Sequence, residues 1–240
     1  YEDQLMLKTA QIKELFSGKQ IDSGSFQGIV PAKQQFGYRN KMEFTFGNAE
    51  KDGPLTLGLH KRGSFYDIIT ISDCKLMDED FVKITNFTID FFKKENLSFY
   101  HKMKHEGFLR NLVIRKGEFT KELLINLITT SQTEYDMSEW KNGILNLELS
   151  NNIIGLIWTV NDNMSDSVNS DSEKVLYGEK DFHEILLGYK FKISPYSFFQ
   201  TNSSGAELLY SKVLEFLPDT KDKVIFDLFS GTGTIGQIVS

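Results

Sequence analysis

The sequence predicts a mixed α+β body that runs into the opening of a doubly wound, Rossmann-like α/β domain, and three observations carry that prediction. Apolar residues alternate with period two through much of the chain, as half-buried strands require. Helix-period stretches near residues 78–92 and 204–217 interrupt those strands. The last stretch, Val224-Ile-Phe-Asp-Leu-Phe-Ser-Gly-Thr-Gly-Thr-Ile-Gly236, is an apolar run entering Gly231-x-Gly233-x-x-Gly236. With that spacing one glycine makes a tight turn, one lets backbone approach a ligand and one allows close helix packing.

Taken in order, residues 1 to 17 read as an amphipathic helix with Leu5, Ile12, Leu15 and Phe16 on one side, and Gly18 stands where a C-terminal cap wants positive φ. Met42, Phe44 and Phe46 then alternate with polar or small neighbours, as do Leu55, Leu57 and Leu59. Lys51-Asp-Gly-Pro54 turns between those two strands, and Arg62-Gly-Ser64 leads to a third. Asp78 is an N-cap for a helix carrying Phe81, Ile84, Phe87, Phe91 and Phe92. Strands are expected at Leu109 to Ile114, Leu123 to Ile128 and Ile153 to Val160, with a polar hairpin loop from Asn161 to Lys174. Ser204-Gly-Ala-Glu207 fits a capping box, opening a helix through Leu208, Leu209, Val213, Leu214 and Leu217 that Pro218 ends. After a charged turn comes the strand that feeds the glycine loop. The organisation expected is a lead-in segment over 1–36, a central α+β domain over 37–180, and the start of the cofactor domain over 181–240.

Bulk properties bound the function. At 240 residues, 40% hydrophobic and 25% charged, the chain has ordinary globular composition. No apolar run approaches the roughly 20 residues that span a bilayer, and the N-terminus lacks the basic and apolar regions of a signal peptide, so a soluble, cytoplasmic protein without membrane contact is expected. The lone cysteine, Cys74, forms no internal disulfide. A net charge of −6 argues against a surface coated by nucleic acid but leaves room for a local basic patch.

Four blocks, in order, carry a resemblance: Tyr38-Arg-Asn-Lys-Met-Glu-Phe44, Leu57-Gly-Leu-His-Lys-Arg-Gly-Ser-Phe-Tyr-Asp67, Ile193-Ser-Pro-Tyr-Ser-Phe-Phe-Gln-Thr-Asn202 and Asp227-Leu-Phe-Ser-Gly-Thr-Gly-Thr-Ile-Gly236. Together they resemble the RNA (uracil-5-)-methyltransferase family, whose members methylate C5 of uridine in ribosomal and transfer RNA with S-adenosylmethionine. The resemblance implies a central domain that binds RNA, with 23S ribosomal RNA as the expected substrate and transfer RNA as the other. It also implies cofactor contacts from Gln200, Phe229 and Thr234. Asp227, Ser230, Gly231 and Gly233 complete that loop, where backbone amides and a helix N-terminus suit a ligand carboxylate. A plain tight connection packing a helix on a sheet is the other reading of the glycines.

Two consecutive aromatics, Phe198 and Phe199, point to opposite faces of a strand, so only one of them lines a pocket. By resemblance Phe198 is the one that stacks on a base taken out of its helix; a buried sheet position is the alternative. Arg39 with Lys41, and Lys61 with Arg62, pair cations near strand ends, and Arg110 and Lys116 add to them. Such cations neutralise phosphates without reading sequence, or stand as solvated surface. From the residues alone Cys74 is a small buried hydrophobe. By resemblance it matches the fourth ligand of a [4Fe-4S] cluster that some family members hold, although one thiolate cannot hold a cluster unaided.

The family mechanism adds a cysteine thiolate to uracil C6 and removes the C5 proton with a base. By resemblance both groups lie downstream of the glycine loop, beyond Ser240, as does the acidic residue that grips the ribose. Taken alone, the chain is therefore expected to transfer no methyl group, and residues 181–240 to lean on the central domain or on a second copy, with the edge at Val224 to Phe229 open to pairing. Two other functions share these features: a non-catalytic RNA-binding accessory protein, and a nicotinamide-dependent oxidoreductase. About 220 residues precede the glycine strand, against the oxidoreductase, and retention of Gln200 with a complete loop favours the methyltransferase.

Overall fold

The computed structural model describes residues 1–19, 22–64, 66–164, 171–218 and 220–240. Its centre is a sheet of seven strands: β1 (Lys41–Asn48), β2 (Leu55–His60), β3 (Ile68–Ile69), β4 (Leu109–Lys116), β5 (Glu122–Thr129), β6 (Asn152–Val160) and β7 (Ser172–Gly178). They lie in the order β3-β2-β1-β4-β5-β6-β7. Every neighbouring pair is antiparallel except β5 and β6, which run parallel. That parallel step needs a crossover, and the short helix α3 (Ser138–Leu145) supplies it.

The alternation predicted for β1 is observed: Met42, Phe44 and Phe46 are buried, while Lys41, Glu43 and Thr45 on the reverse face are half-buried. Strands β4 and β5 are buried on both faces over most of their length. A continuous apolar run of this kind fits a strand covered from above and below. One cover is α2 (Glu79–Lys94), which sets Phe81, Ile84 and Phe92 into the main core. As expected, Asp78 caps it, accepting from the Asp80 amide at 2.9 Å. The Phe92 ring meets Phe46 edge-on at 6.0 Å and stacks on Trp140 of α3 at 6.2 Å. Gly143 allows that approach, since a Cβ there would fall 2.0 Å from Cζ of Phe87.

The other cover is a hairpin, β8 (Phe182–Leu186) with β9 (Tyr189–Ile193), joined by α4 (Ser203–Phe216) and α5 (Thr234–Val239). Phe182, Leu186, Phe191, Ile193, Phe199, Ala206, Tyr210 and Ile238 form a second core with Leu124 and Ile157 of the sheet. Among the described residues no helix is long and apolar enough to cross a membrane.

Four local expectations are corrected. Helix α1 (Glu2–Gly18) forms but buries no residue. Leu5, Ile12 and Phe16 are half-buried, whereas Leu15 is exposed. Gly18 ends it without positive φ; the cap is Lys19 at φ −108°. The capping box at Ser204 does not form, because Asn202 caps α4 by accepting from the Gly205 amide and Glu207 is committed to the Leu187 amide at 2.9 Å. Its buried face is Ser203, Ala206 and Tyr210, while Leu209 and Leu214 face solvent. The strand expected over 224–229 joins neither sheet, and Val224, Phe226 and Leu228 are exposed. A strand of a doubly wound sheet needs paired neighbours, and the described residues offer it none. The hairpin loop from Asn161 to Lys174 does connect the antiparallel β6 and β7, although residues 165–170 lie outside the described ones.

Candidate nucleic-acid and cofactor site

Two of the sequence blocks, far apart in the chain, are hydrogen-bonded to each other. The Asn40 backbone amide donates to the Thr201 carbonyl at 2.9 Å, and its side-chain Nδ2 donates to the Gln200 carbonyl at 3.0 Å and to Ser203 Oγ at 2.8 Å. Ser203 in turn donates to the fully buried carboxylate of Glu184, which also accepts from the amides of Glu118 and Phe119. A buried amide and carboxylate are tolerated here because each has partners. The effect is to fix the start of β1 against the start of α4.

Beside this junction lies a cleft of about 210 Å³ lined by Arg39, Lys41, Glu43, Ser197, Phe198, Phe199 and Thr201. Arg39 Nε donates to the Lys41 carbonyl at 3.1 Å, and Lys41 pairs loosely with Glu43 at 3.7 Å. The two consecutive aromatics divide as expected: Phe199 is buried against Phe191, whereas Phe198 is 70% exposed at the cleft. They do so from an irregular segment after β9, not from a strand. That segment is anchored from beneath. The Arg115 guanidinium donates to the carbonyls of Ser194 at 2.7 Å and Pro195 at 2.9 Å, and the Tyr196 hydroxyl meets Thr159 and Glu173. Burial lowers the Arg115 pKa to about 10, which leaves it charged at neutral pH.

A smaller cavity, about 110 Å³, shares Ser197 and Phe199 with that cleft and is closed on its far side by Thr232 and Gln237 of the glycine segment. The aromatic block therefore borders both the cationic cleft and the glycine loop. Gln200 hydrogen-bonds the phenol of Tyr210, and burial, only partly offset by that bond, raises the Tyr210 pKa. In the loop Phe229, Gly231 and Gly233 take left-handed backbone, at φ 60°, 56° and 68°. Ser230 accepts from the Gly233 amide, Asp227 Oδ2 accepts from the Gly236 amide at 3.0 Å, and the hydroxyls of Thr232 and Thr234 lie 2.9 Å apart. A Cβ added at Gly231 would meet nothing within 4 Å, so the backbone is open to close approach there.

The remaining candidates lie elsewhere. Lys61 and Arg62 are exposed on the turn between β2 and β3, outside the cleft. Arg110 is buried, donating to the carbonyls of Asn161 and Asn163 at 2.7 and 2.8 Å with its guanidinium over the Tyr100 ring. Lys116 is buried between Asp78 and Glu118, at 2.6 Å from each. Cys74 packs, half-buried, against the main core. A cluster needs four thiolates, and no group of three or more metal-ligating side chains gathers among the described residues. The residues present do not fit a [4Fe-4S] cluster. Asn40, Glu184 and Arg115, which hold the site together, went unmarked in the sequence. Asn40 lies within a quoted block and was masked by the charges on either side of it.

No family model matches the chain. It is 48% identical over its whole length to an uncharacterized RNA methyltransferase of Clostridium tetani and 44% identical to one of Clostridium acetobutylicum. In each case it covers 53% of the relative, so the chain spans about half the length of the curated proteins it matches. Among solved structures it superposes, with a TM-score of 0.76 and 28% identity over all of this chain and 54% of the other, on the Pyrococcus abyssi tRNA (uracil-54, C5)-methyltransferase in complex with S-adenosyl-L-homocysteine. These matches, along the full length of this chain and its fold, support the RNA uracil-C5 methyltransferase family for it.

Proposed function

We propose that the whole protein transfers a methyl group from S-adenosylmethionine to C5 of a uridine in ribosomal or transfer RNA, working in the cytoplasm. In this reading residues 37–180 carry the RNA-contacting surface, residues 181–240 begin the methyltransferase domain and residues 1–36 lead in. The observation that carries it is the joining of Asn40 to Gln200, Thr201 and Ser203, which sets Arg39, Lys41 and Phe198 around one cleft beside the glycine loop. The cations neutralise phosphate, and the exposed Phe198 ring offers the π-face on which an unstacked base rests. Lys61 and Arg62, exposed on their turn, extend the phosphate contacts. Arg110 is already engaged by protein carbonyls and is left out.

For the cofactor, Gln200, Asp227, Phe229, Ser230, Gly231, Gly233 and Thr234 are the residues that would hold it. S-adenosylmethionine supplies an electrophilic methyl group when bound. The chain's own part is to keep Gly231 and Gly233 in a backbone that a side chain would strain, and to lock the turn through Asp227 and the Gly236 amide.

The test is to incubate the full-length protein with methyl-labelled S-adenosylmethionine and either 23S ribosomal RNA or transfer RNA transcripts, then to analyse nucleosides by mass spectrometry. Labelled 5-methyluridine from one of the two is expected and identifies the substrate. RNA binding without any label would overturn the enzyme reading in favour of an accessory RNA-binding protein.

A further inference from the structure

A cavity larger than the one at Phe198 lies nearby. A cleft of about 330 Å³ opens further along the same face of β1, and the two share Glu43 as a common wall. Lys41, Glu43 and Thr45 are successive same-face positions, so at about 3.3 Å per residue the second opening lies roughly 13 Å along the strand from the first. Its floor is polar. Thr45 and Asn111 are cross-strand partners on β1 and β4, and Asn111 Nδ2 donates to Thr45 Oγ1 at 3.3 Å, which orients the amide. One flank carries two stacked pairs: the Phe99 ring on the His101 imidazole, 6.3 Å apart with planes 27° from parallel, and the Arg110 guanidinium 4.4 Å over the Tyr100 ring. From the turn between β2 and β3, on the other side of β1 in the sheet order, comes Tyr66, 57% exposed.

We propose that this cleft is a second base-binding subsite, taking a nucleotide that neighbours the one at Phe198 in single-stranded RNA and preferring a base with an exocyclic amino group over uracil. The inference rests on the RNA reading of the Phe198 cleft. Its volume falls at the lower end of the range for small-ligand sites, which suits one base with its sugar. Rigid aromatic faces above a polar floor are the arrangement by which single-stranded RNA is held, through stacking and contact with base edges. The floor supplies acceptors, the Glu43 carboxylate and Asn111 Oδ1. Adenine, cytosine and guanine bring an exocyclic amino group, with two N–H donors, to such a pair of acceptors, where uracil has only its single ring N3–H. The cationic Lys102 on the rim adds a phosphate partner without sequence preference.

The experiment measures binding, so it does not depend on methyl transfer. Full-length protein is titrated by fluorescence anisotropy against single-stranded RNA heptamers with one central uridine, each neighbouring position replaced in turn by an abasic site or by each of the four bases. One position is expected at which loss of the base weakens binding roughly tenfold and at which uridine binds less tightly than the other three. That penalty should largely vanish in Tyr66→Ala, an exposed turn position whose circular dichroism should match the parent, and the base preference should vanish in Asn111→Ala. Equal binding of all heptamers, or a penalty undiminished in Tyr66→Ala and in Tyr100→Ala, would overturn the subsite alone. Failure to bind any heptamer would overturn both this inference and the RNA reading beneath it.

Discussion

At the scale of single residues, Asn40, buried beside the cleft, and Phe198, exposed at it, have opposite roles. Phe198 is exposed and props nothing up, so Phe198→Ala should leave the unfolding free energy from urea titration within about 0.5 kcal/mol of the parent. Its removal should still weaken RNA binding by about 1–3 kcal/mol, the range for one base stacked on an aromatic ring. Asn40 is buried and donates to two partners at once. Asn40→Ala leaves the Gln200 carbonyl short of a partner and should cost about 2 kcal/mol of stability. A Phe198→Ala protein as unstable as Asn40→Ala would sink this division of labour. Lys116 presents a third case, because removing one partner of a buried ion pair strands the others. Lys116→Met should destabilise by about 3 kcal/mol, measured by denaturant titration, since Asp78 and Glu118 both lean on it. What sequence could not show at this scale is commitment. Arg110 reads as one more cation near a strand end, and only the fold brings the carbonyls of Asn161 and Asn163, more than fifty residues away, to meet it.

At the scale of elements, the long periodic ones were legible. Strands β1, β2, β4, β5 and β6 and helix α2 all follow from alternation or helix period, because each packs one defined face, or two, against a core. Helix α3 was not, since its eight residues bury only Trp140 and Ile144, too few to set a period. The missed helix is nevertheless tightly seated. Gly143→Ala forces a Cβ into the Phe87 ring, and the expected cost is about 1–3 kcal/mol. Thermal unfolding would show it, and an unchanged midpoint would mean that the α2 and α3 contact is looser than drawn. The start of α4 was misplaced by two residues for a related reason: Ser203, Ser204 and Asn202 are all good caps by type, and the choice among them depends on Glu207 being drawn away to β8–β9. The strand over 224–229 failed for want of partners, which no local pattern reveals.

For the molecule as a whole, the acid limit of stability should reflect the cluster that ties α2 to β4. Burial opposes ionisation of Asp78, but the hydrogen bond and charge of Lys116 and the Asp80 amide outweigh it, so its pKa lies below the usual 3.8. A carboxyl whose folded pKa is depressed stabilises fully above the unfolded value and loses that contribution as pH falls through the folded one. Lys116 is the mirror case. Burial works against its charge, its two carboxylate partners prevail, and the raised pKa preserves its share everywhere below about 10.5. Denaturant midpoints should thus hold level for this pair between about pH 5 and 9 and drop below pH 4, with a shallower drop in Asp78→Asn. An identical acid profile in that variant would rule out this pair as the source. In a polypeptide of these 240 residues, hydrogen exchange should find the amides of β4 and β5 the most protected and those of 224–229 the least, since the latter pair with no strand among the described residues.

The bond from Asn40 to Ser203 spans 163 residues, and that separation sets a delay during synthesis. A ribosome adding about 5–20 residues per second needs roughly ten to thirty seconds to bring Ser203 into being after Asn40. Until then Arg39 and Lys41 emerge as loose charges with no aromatic partner and no fixed spacing. On the RNA reading proposed above, a cleft able to hold a base is therefore completed only late in synthesis.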